Sequence, residues 1–384
     1  MTLKKGIRKI HLWLGLASGI VVVFLGITGC ILAFEIEIRQ LTEPYHDVPV
    51  SGKSFLPPSQ LKAIAEKHLV SGKALGIEYP GKDKAVIAAY YDEERYELVF
   101  IDPYNGSVLR HKNMNKDFFR FILDGHYYLW LPHAIGQPIV ASATLIFLIM
   151  MITGLILWWP KNKAARKQRF KIKWSAKWRR KNYDLHNVLG FYMTWVSIFI
   201  ALTGLVWGFQ WFAKSMYWAT SGGHTMVEHI HPISDFTKQA AYSNMADHLW
   251  ENHVKGFPSN ESLSIYFANT PADPIEIIEN HRPGTYYNSD AYHYDQFTGK
   301  ELATYDSYAG KFKDAKIADK IVRMNYDMHV GAILGLPGKI LAFCGSLIAA
   351  SLPVTGFIIW WGRKKKARKA TQTTSLQKKE TVLA

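Results

Sequence analysis

The chain has 384 residues, 46 Lys and Arg against 31 Asp and Glu, a formal net charge of +15, and two cysteines. In a soluble protein that charge would point to nucleic acid. Here the cations form three local clusters beside long apolar runs, which excludes that reading and indicates an integral membrane protein.

In chain order, Lys4, Lys5, Arg8 and Lys9 precede His11 and a first apolar run, Leu12–Phe34. About 20 apolar residues in a helix cross the ~30 Å of a hydrocarbon core, so this run is long enough to span. Ile27-Thr28-Gly29-Cys30 also resembles a lipoprotein cleavage box, which would remove the span. The same Thr-Gly pair recurs in three later runs, which favours a structural role for it. A polar stretch follows. Within it Pro57–Leu69 has helical spacing, Ala85–Ala89 and Tyr96–Ile101 read as strands, and Asp102–Gly106 reads as a turn. The second apolar run, Ile139–Trp159, lies beyond His126 and ends in a basic loop from Lys161 to Lys181. The third, Val188–Phe212, is headed by His186. A second polar stretch offers strands at Ser264–Ala268, Ile275–Glu279 and Tyr292–Tyr294. The fourth run, Ile340–Trp361, follows His329 and ends in Arg363, Lys364, Lys365, Lys366, Arg368 and Lys369.

Basic residues in short loops mark the cytoplasmic face. All three clusters agree on four spans with both termini cytoplasmic, and they add attraction to anionic lipid. The expected divisions are helix 1 within 1–34, an outer module at 35–137, helix 2 at 138–160, a basic loop at 161–184, helix 3 at 185–212, a second module at 213–331, helix 4 at 332–362 and a basic tail at 363–384. Each module is expected to be a small α+β sheet with one covering helix. Cys30 and Cys344 both fall in apolar runs, so no disulfide framework is expected.

The two halves repeat. His11-x-x-x-Gly15 then Thr28-Gly29 matches His186-x-x-x-Gly190 then Thr203-Gly204, with 18 residues from His to the second Gly in both. Thr153-Gly154 before Trp158-Trp159 matches Thr355-Gly356 before Trp360-Trp361. His126 precedes Gly154 by 28 residues and His329 precedes Gly356 by 27. Asp102–Gly106 matches Asp295–Gly299. The chain therefore reads as helix, module, helix, twice in the same direction.

A histidine near hydrocarbon is costly and faces a bundle interior or a cofactor. Topology sorts the four into His11 with His186 at the cytoplasmic face and His126 with His329 at the outer face, one from each half. Two imidazoles on opposite sides of a plane suit a six-coordinate b-type haem and electron transfer. Zinc would be short of ligands with two histidines per site. Gly15 and Gly190 share a helix face with His11 and His186 and would admit a flat group, although Gly15-x-x-x-Gly19 also matches a helix-packing motif. His133 competes with His126 but has no counterpart in the second half. His224, His229 and His231 read as solvated loop residues, and the paired tryptophans as an interfacial belt. Tyr127, Tyr128 and Trp130 fit such a belt or an outer pocket. No Cys-x-x-Cys-His is present for covalent haem, and no flavin or nicotinamide motif, so an electron donor would be separate.

His11-x-Trp-x-Gly-Leu, Thr153–Pro160, Asp184–Tyr192 and His329–Gly338 together resemble the PepSY-associated transmembrane helix family, over nearly the whole chain. Gly125-His126-Tyr127 departs from the family's frequent Leu-His-Arg. The resemblance implies an all-α four-helix membrane bundle with two periplasmic PepSY-like modules. It implies two bis-histidine haems on His11, His186, His126 and His329. It also implies an inner-membrane reductase that passes electrons to periplasmic ferric siderophore. Two rivals follow from the same residues: a non-enzymatic PepSY-type binding or regulatory membrane protein, and a haem reductase for copper or a quinone.

Overall fold

The computed structural model describes all residues except Met1, Ser71, Lys161, His229, His231, 256–260 and Ala384, with backbone alone for 164–165 and 366–383. The chain runs α1 (Leu3–Leu32), α2 (Glu35–Thr42), α3 (Pro58–Glu66), β1 (Gly76–Tyr79), β2 (Val86–Tyr91), β3 (Tyr96–Ile101) and β4 (Val108–Asn113). It continues through α4 (Phe118–Tyr128), α5 (His133–Trp158), α6 (Lys163–Arg169), α7 (Trp178–Gly208), α8 (Gln210–Thr220) and α9 (Met245–Val254). It closes with β5 (Ser262–Tyr266), β6 (Ile275–Asn280), β7 (Ser289–Tyr294), β8 (Glu301–Leu302), α10 (Ile317–His329) and α11 (Leu336–Leu383). Two compact units result. One holds residues 1–33, 123–209 and 329–384, and the other holds 34–122 and 210–328.

The first unit is a bundle of α1, α5, α7 and the first part of α11, the four helices long and apolar enough to cross a membrane. Its principal packing is cyclic: α1 on α11 and α5, and α7 on the same two helices. So α1 lies diagonally opposite α7. Small side chains set the closeness of approach, as expected where lipid offers no hydrophobic drive between helices. Along α1, Ser18, Val22 and Gly26 form one buried stripe at four-residue spacing. A Cβ on Gly26 would stand 2.6 Å from the Ser346 carbonyl oxygen and 2.8 Å from Ala350 Cβ.

The corner between α4 and α5 is tight. Leu129 and Trp130 take left-handed φ values of 58° and 55°, which only a well-buttressed corner sustains in non-glycine residues. The Trp130 ring meets Phe24 edge-on at 5.2 Å and lies over Gly125, where any Cβ would stand 2.6 Å from it. Gly125 before His126 is thus required by local packing.

The second unit is built on one sheet of eight strands in the order β4-β3-β2-β1-β5-β6-β7-β8, all antiparallel. This differs from the expectation of two small separate sheets. Each module does supply four strands in a meander, but their first strands pair, Gly76 with Tyr266 through Tyr79 with Leu263. Pairing satisfies two backbone edges that separate sheets would leave open. One continuous core lies on the side covered by α3 and α9, with Leu61, Ile77, Leu263, Ile265 and Ile277 all at or below 1% exposure. The two matched turns share one geometry. Asp102 accepts the Tyr104 backbone N–H and Asp295 accepts those of Phe297 and Thr298. Gly106 and Gly299 then close the turns at φ +77° and +69°.

The unit division also falls elsewhere than expected. The second apolar helix begins at His133, and the second segment of the bundle unit begins at Leu123 instead of 138. His126 therefore belongs to the bundle.

Candidate functional site

Each of the four predicted histidines reaches a Thr-Gly pair on another helix. His11 Nδ1 is 2.9 Å from Thr153 Oγ1, and His186 Nδ1 is 2.9 Å from Thr355 Oγ1. His126 Nδ1 is 2.7 Å from Thr28 Oγ1, and His329 Nδ1 is 3.0 Å from Thr203 Oγ1. The direction of these bonds follows from the threonines. Each hydroxyl already donates to a backbone carbonyl one turn back, that of Phe24, Ile149, Phe199 or Ser351. Toward the imidazole it is left as an acceptor, so Nδ1 carries the proton. His329 Nδ1 also lies 3.0 Å from the Ile200 carbonyl, which can only accept. A neutral imidazole protonated at Nδ1 has its lone pair on Nε2, the state of a metal-ligating histidine oriented by an outer hydrogen bond.

The glycine of each pair leaves room for the ring. A Cβ would stand 3.4 Å from His11 Cε1 at Gly154, 3.3 Å from His186 Cε1 at Gly356, 3.6 Å from His126 Cε1 at Gly29 and 3.2 Å from His329 Cε1 at Gly204. These glycines, more than Gly15 and Gly190, form the histidine beds. A Cβ at Gly15 would meet Met150 at 2.8 Å, and one at Gly190 would meet Leu352 at 3.5 Å.

His126 and His329 face each other with ring centroids 6.3 Å apart and planes at 67°. His11 and His186, on the diagonally opposed α1 and α7, are electrostatic neighbours at the basic end of the bundle. His133 opens α5 exposed and meets Tyr128, so the structure does not bring it to His329. His224 is exposed, and His229 and His231 lie outside the described residues.

Around the basic-end pair, Asp184 is 2% exposed and folds the preceding loop onto α7. It accepts the Lys173 backbone N–H and the Arg180 Nε–H. Asn182, 1% exposed, donates to the Thr355 carbonyl beside the His186 site. The tryptophans divide by role: Trp158 is buried and stacked on Phe191 at 3.8 Å, whereas Trp159 is 70% exposed, as a belt residue would be.

With this arrangement in view, the comparison with protein families is decisive. The PepSY-associated TM region matches residues 8–363. The chain belongs to this family. Among curated proteins there is no match. All four histidines and all four Thr-Gly pairs fall inside the matched span. The threonines were the part that sequence reading left without a partner; their recurrence at a fixed place in every span was the available signal.

Proposed function

We propose that the protein is an inner-membrane oxidoreductase that holds two b-type haems and reduces ferric siderophore in the periplasm, releasing Fe(II) for uptake. His11 and His186 would hold the cytoplasmic-side haem, and His126 and His329 the periplasmic-side haem. The observation that carries this reading is the set of four Thr–His hydrogen bonds, which leave four Nε2 lone pairs free, with His126 and His329 ring to ring and His11 and His186 electrostatic neighbours.

The residues fit such a group. An imidazole nitrogen binds a metal at about 2 Å, so two axial rings on one ion have centres roughly 6 Å apart, as His126 and His329 do. The glycines beside the rings leave the flanks open. A haem with both axial positions filled supplies one-electron transfer and no oxygen binding. The threonines fix ring orientation, and the small-residue stripes hold the helices that carry them at constant separation.

The charge clusters support both termini in the cytoplasm and the polar unit in the periplasm. The matched turns and paired meanders support an internal duplication of two PepSY-like modules. Ferric iron in a siderophore is held by hard oxygen donors matched to its charge, and ferrous iron is held less tightly, so reduction favours release. The electron donor would be a separate quinol, flavoprotein or cytoplasmic carrier.

The absorption spectrum of protein purified after expression with adequate haem tests the reading. A bis-histidine b-type spectrum with two haems per chain is expected. His11→Ala should lower this to one haem and leave the other spectrum intact. A chain that carries no haem, or a His11→Ala variant that keeps both, would sink the assignment.

A further inference from the structure

The polar unit carries its own cluster of ligand-type side chains, distinct from the four bundle histidines. Side chains alternate along a strand. Leu263 of β5 and Ile277 of β6 enter the core that α3 and α9 cover, both at or below 1% exposure. Glu261 lies two residues before Leu263 and Glu279 two residues after Ile277, so both continue that face where the apolar rows end. Asp290 of β7 stands directly across from Glu279 and joins them. His281, just past β6, lies between two of these carboxylates, with Nδ1 2.6 Å from Glu261 Oε2 and Nε2 3.1 Å from Asp290 Oδ2.

Without a cation this arrangement is costly. Carboxylates directly opposite on neighbouring strands repel, and Asp290 is 8% exposed, where an unneutralised charge is expensive. Among the described residues no lysine or arginine forms an ion pair with Glu261, Glu279 or Asp290, and only His253 and His281 approach them. Arg323 is an electrostatic neighbour of Asp290, but its guanidinium donates to the backbone carbonyls of Ser289, Ser307, Ala309 and Gly310. The internal repeat shows that the fold does not demand the carboxylate pair. With Asp102–Gly106 aligned on Asp295–Gly299, Glu279 and Asp290 fall on Tyr90 and Glu97, which also stand directly opposite each other. The first half sets a phenol where the second sets a carboxylate.

Glu279, His281 and Asp290 offer one ligand atom each, all within 4.8 Å of one another. Nitrogen and oxygen ligands of a zinc-like ion stand about 3–4 Å apart, so small side-chain rotations close the set. The supporting hydrogen bonds are in place. A carboxylate only accepts, so His281 Nδ1 donates to Glu261 and Nε2 is the atom turned toward Asp290. His253 Nδ1 donates to Glu279 Oε1 at 2.7 Å, and the Tyr294 hydroxyl donates to His253 Nε2 at 2.8 Å. Asp290 Oδ1 accepts the Phe312 backbone N–H at 2.9 Å. Each candidate ligand is thus oriented by a neighbour, as metal ligands are.

We propose that Glu279, His281 and Asp290 bind a divalent first-row transition-metal ion, with Glu261 and His253 holding the ligands in place. Two carboxylates balance the charge of the ion. An imidazole beside them favours Zn2+, Fe2+ or Mn2+ over Ca2+ and Mg2+, which take oxygen ligands. The site goes beyond the haem reading and does not depend on it.

The test is zinc uptake by the full-length protein in detergent, free of any affinity tag and stripped with a chelator. It is measured by equilibrium dialysis against Zn2+ in the presence of excess Mg2+. Wild type should take up one Zn2+ per chain more than His281→Ala. Asp290→Asn, which keeps size and shape, should abolish the same uptake, and Glu261→Gln should weaken it about 10- to 100-fold. Unchanged circular dichroism spectra control for folding. A variant with His224, His229 and His231 all changed to alanine should keep the ion. Saturating Zn2+ should raise the thermal midpoint of wild type and leave that of Asp290→Asn unmoved. Equal uptake by wild type and His281→Ala, loss of the ion in the loop variant, or displacement by Mg2+ would overturn the proposal. Haem content does not enter the readout: a haem-free chain that takes up zinc here defeats the haem assignment alone, and a haem-bearing chain that takes up none defeats this inference alone.

Discussion

At the scale of single residues, hydroxyl direction decides the chemistry. Each threonine spends its proton on its own helix and so dictates which imidazole nitrogen is free. Thr355→Val keeps the side-chain shape and deletes the acceptor for His186 Nδ1–H. Loss of such an outer partner typically weakens metal affinity about 10- to 100-fold. Under the proposed function, the expected outcome is partial loss of the haem that His11 and His186 would hold and a raised reduction potential for what remains, with Thr355→Ser near wild type. Haem titration and potentiometry check both. Sequence reading singled out the four histidines because recurring motifs and charge clusters are written along the chain, and the structure sets His126 ring to ring with His329. That reading did not find the hydrogen bonds, which join residues 98 to 169 positions apart and leave no local pattern. It assigned a flat-group bed to Gly15 and Gly190, beside which the structure sets the side chains of Met150 and Leu352.

At the scale of elements, two contacts set limits. The first is the approach of α1 to α11 at Gly26, closed by backbone and thus unable to yield cheaply. Gly26→Val should separate the helices and lower the thermal midpoint of the bundle, measured by loss of helical circular dichroism; an unchanged midpoint would show that the contact is not limiting. The second is the ionic cluster that ties α2 to β4 and the start of α4. Burial would raise Glu43, but hydrogen bonds from Lys112, Tyr45 and His46 outweigh it and hold the carboxyl at about 2. Burial is likewise overcome at Asp117 by Arg39 and Lys112, which hold it well below its usual range. Both folded pKa values are depressed, so this stability is present above the ordinary carboxylate range and is lost as pH falls from about 4 toward 2. Arg39→Met should flatten that acid dependence in pH-jump unfolding. The elements themselves were unevenly legible. Tyr96–Ile101 was read to the residue because it is a short run of β-branched and aromatic residues bounded by a turn. β1 escaped notice because four residues with only Ile77 and Tyr79 apolar are too few to establish a period, and β4 because Val108–Asn113 is mostly polar.

At the scale of the molecule, the β1–β5 seam makes the polar unit indivisible. Core residues from both modules, Leu61 and Trp250 among them, lie in one cluster. A fragment of residues 34–122 expressed alone would bare the β1 edge and half of that core. It should aggregate or dimerise through β1, whereas joining 34–122 to 210–328 by a flexible linker should give a soluble monomer, as light scattering would show. The sequence could not disclose this seam, because repeats announce similar units without saying whether their edges meet.

The cyclic packing of the bundle has a consequence for how the polypeptide is held together. Each of α1 and α5 in the first half is clasped by α7 or α11 in the second, and the seam clasps the halves again through β1 and β5. The peptide link across α6 is then mechanically redundant. Proteolytic nicking within Lys163–Arg169 should yield two chains that co-migrate until denatured, so that the two halves could be supplied by separate genes and still assemble as one protein.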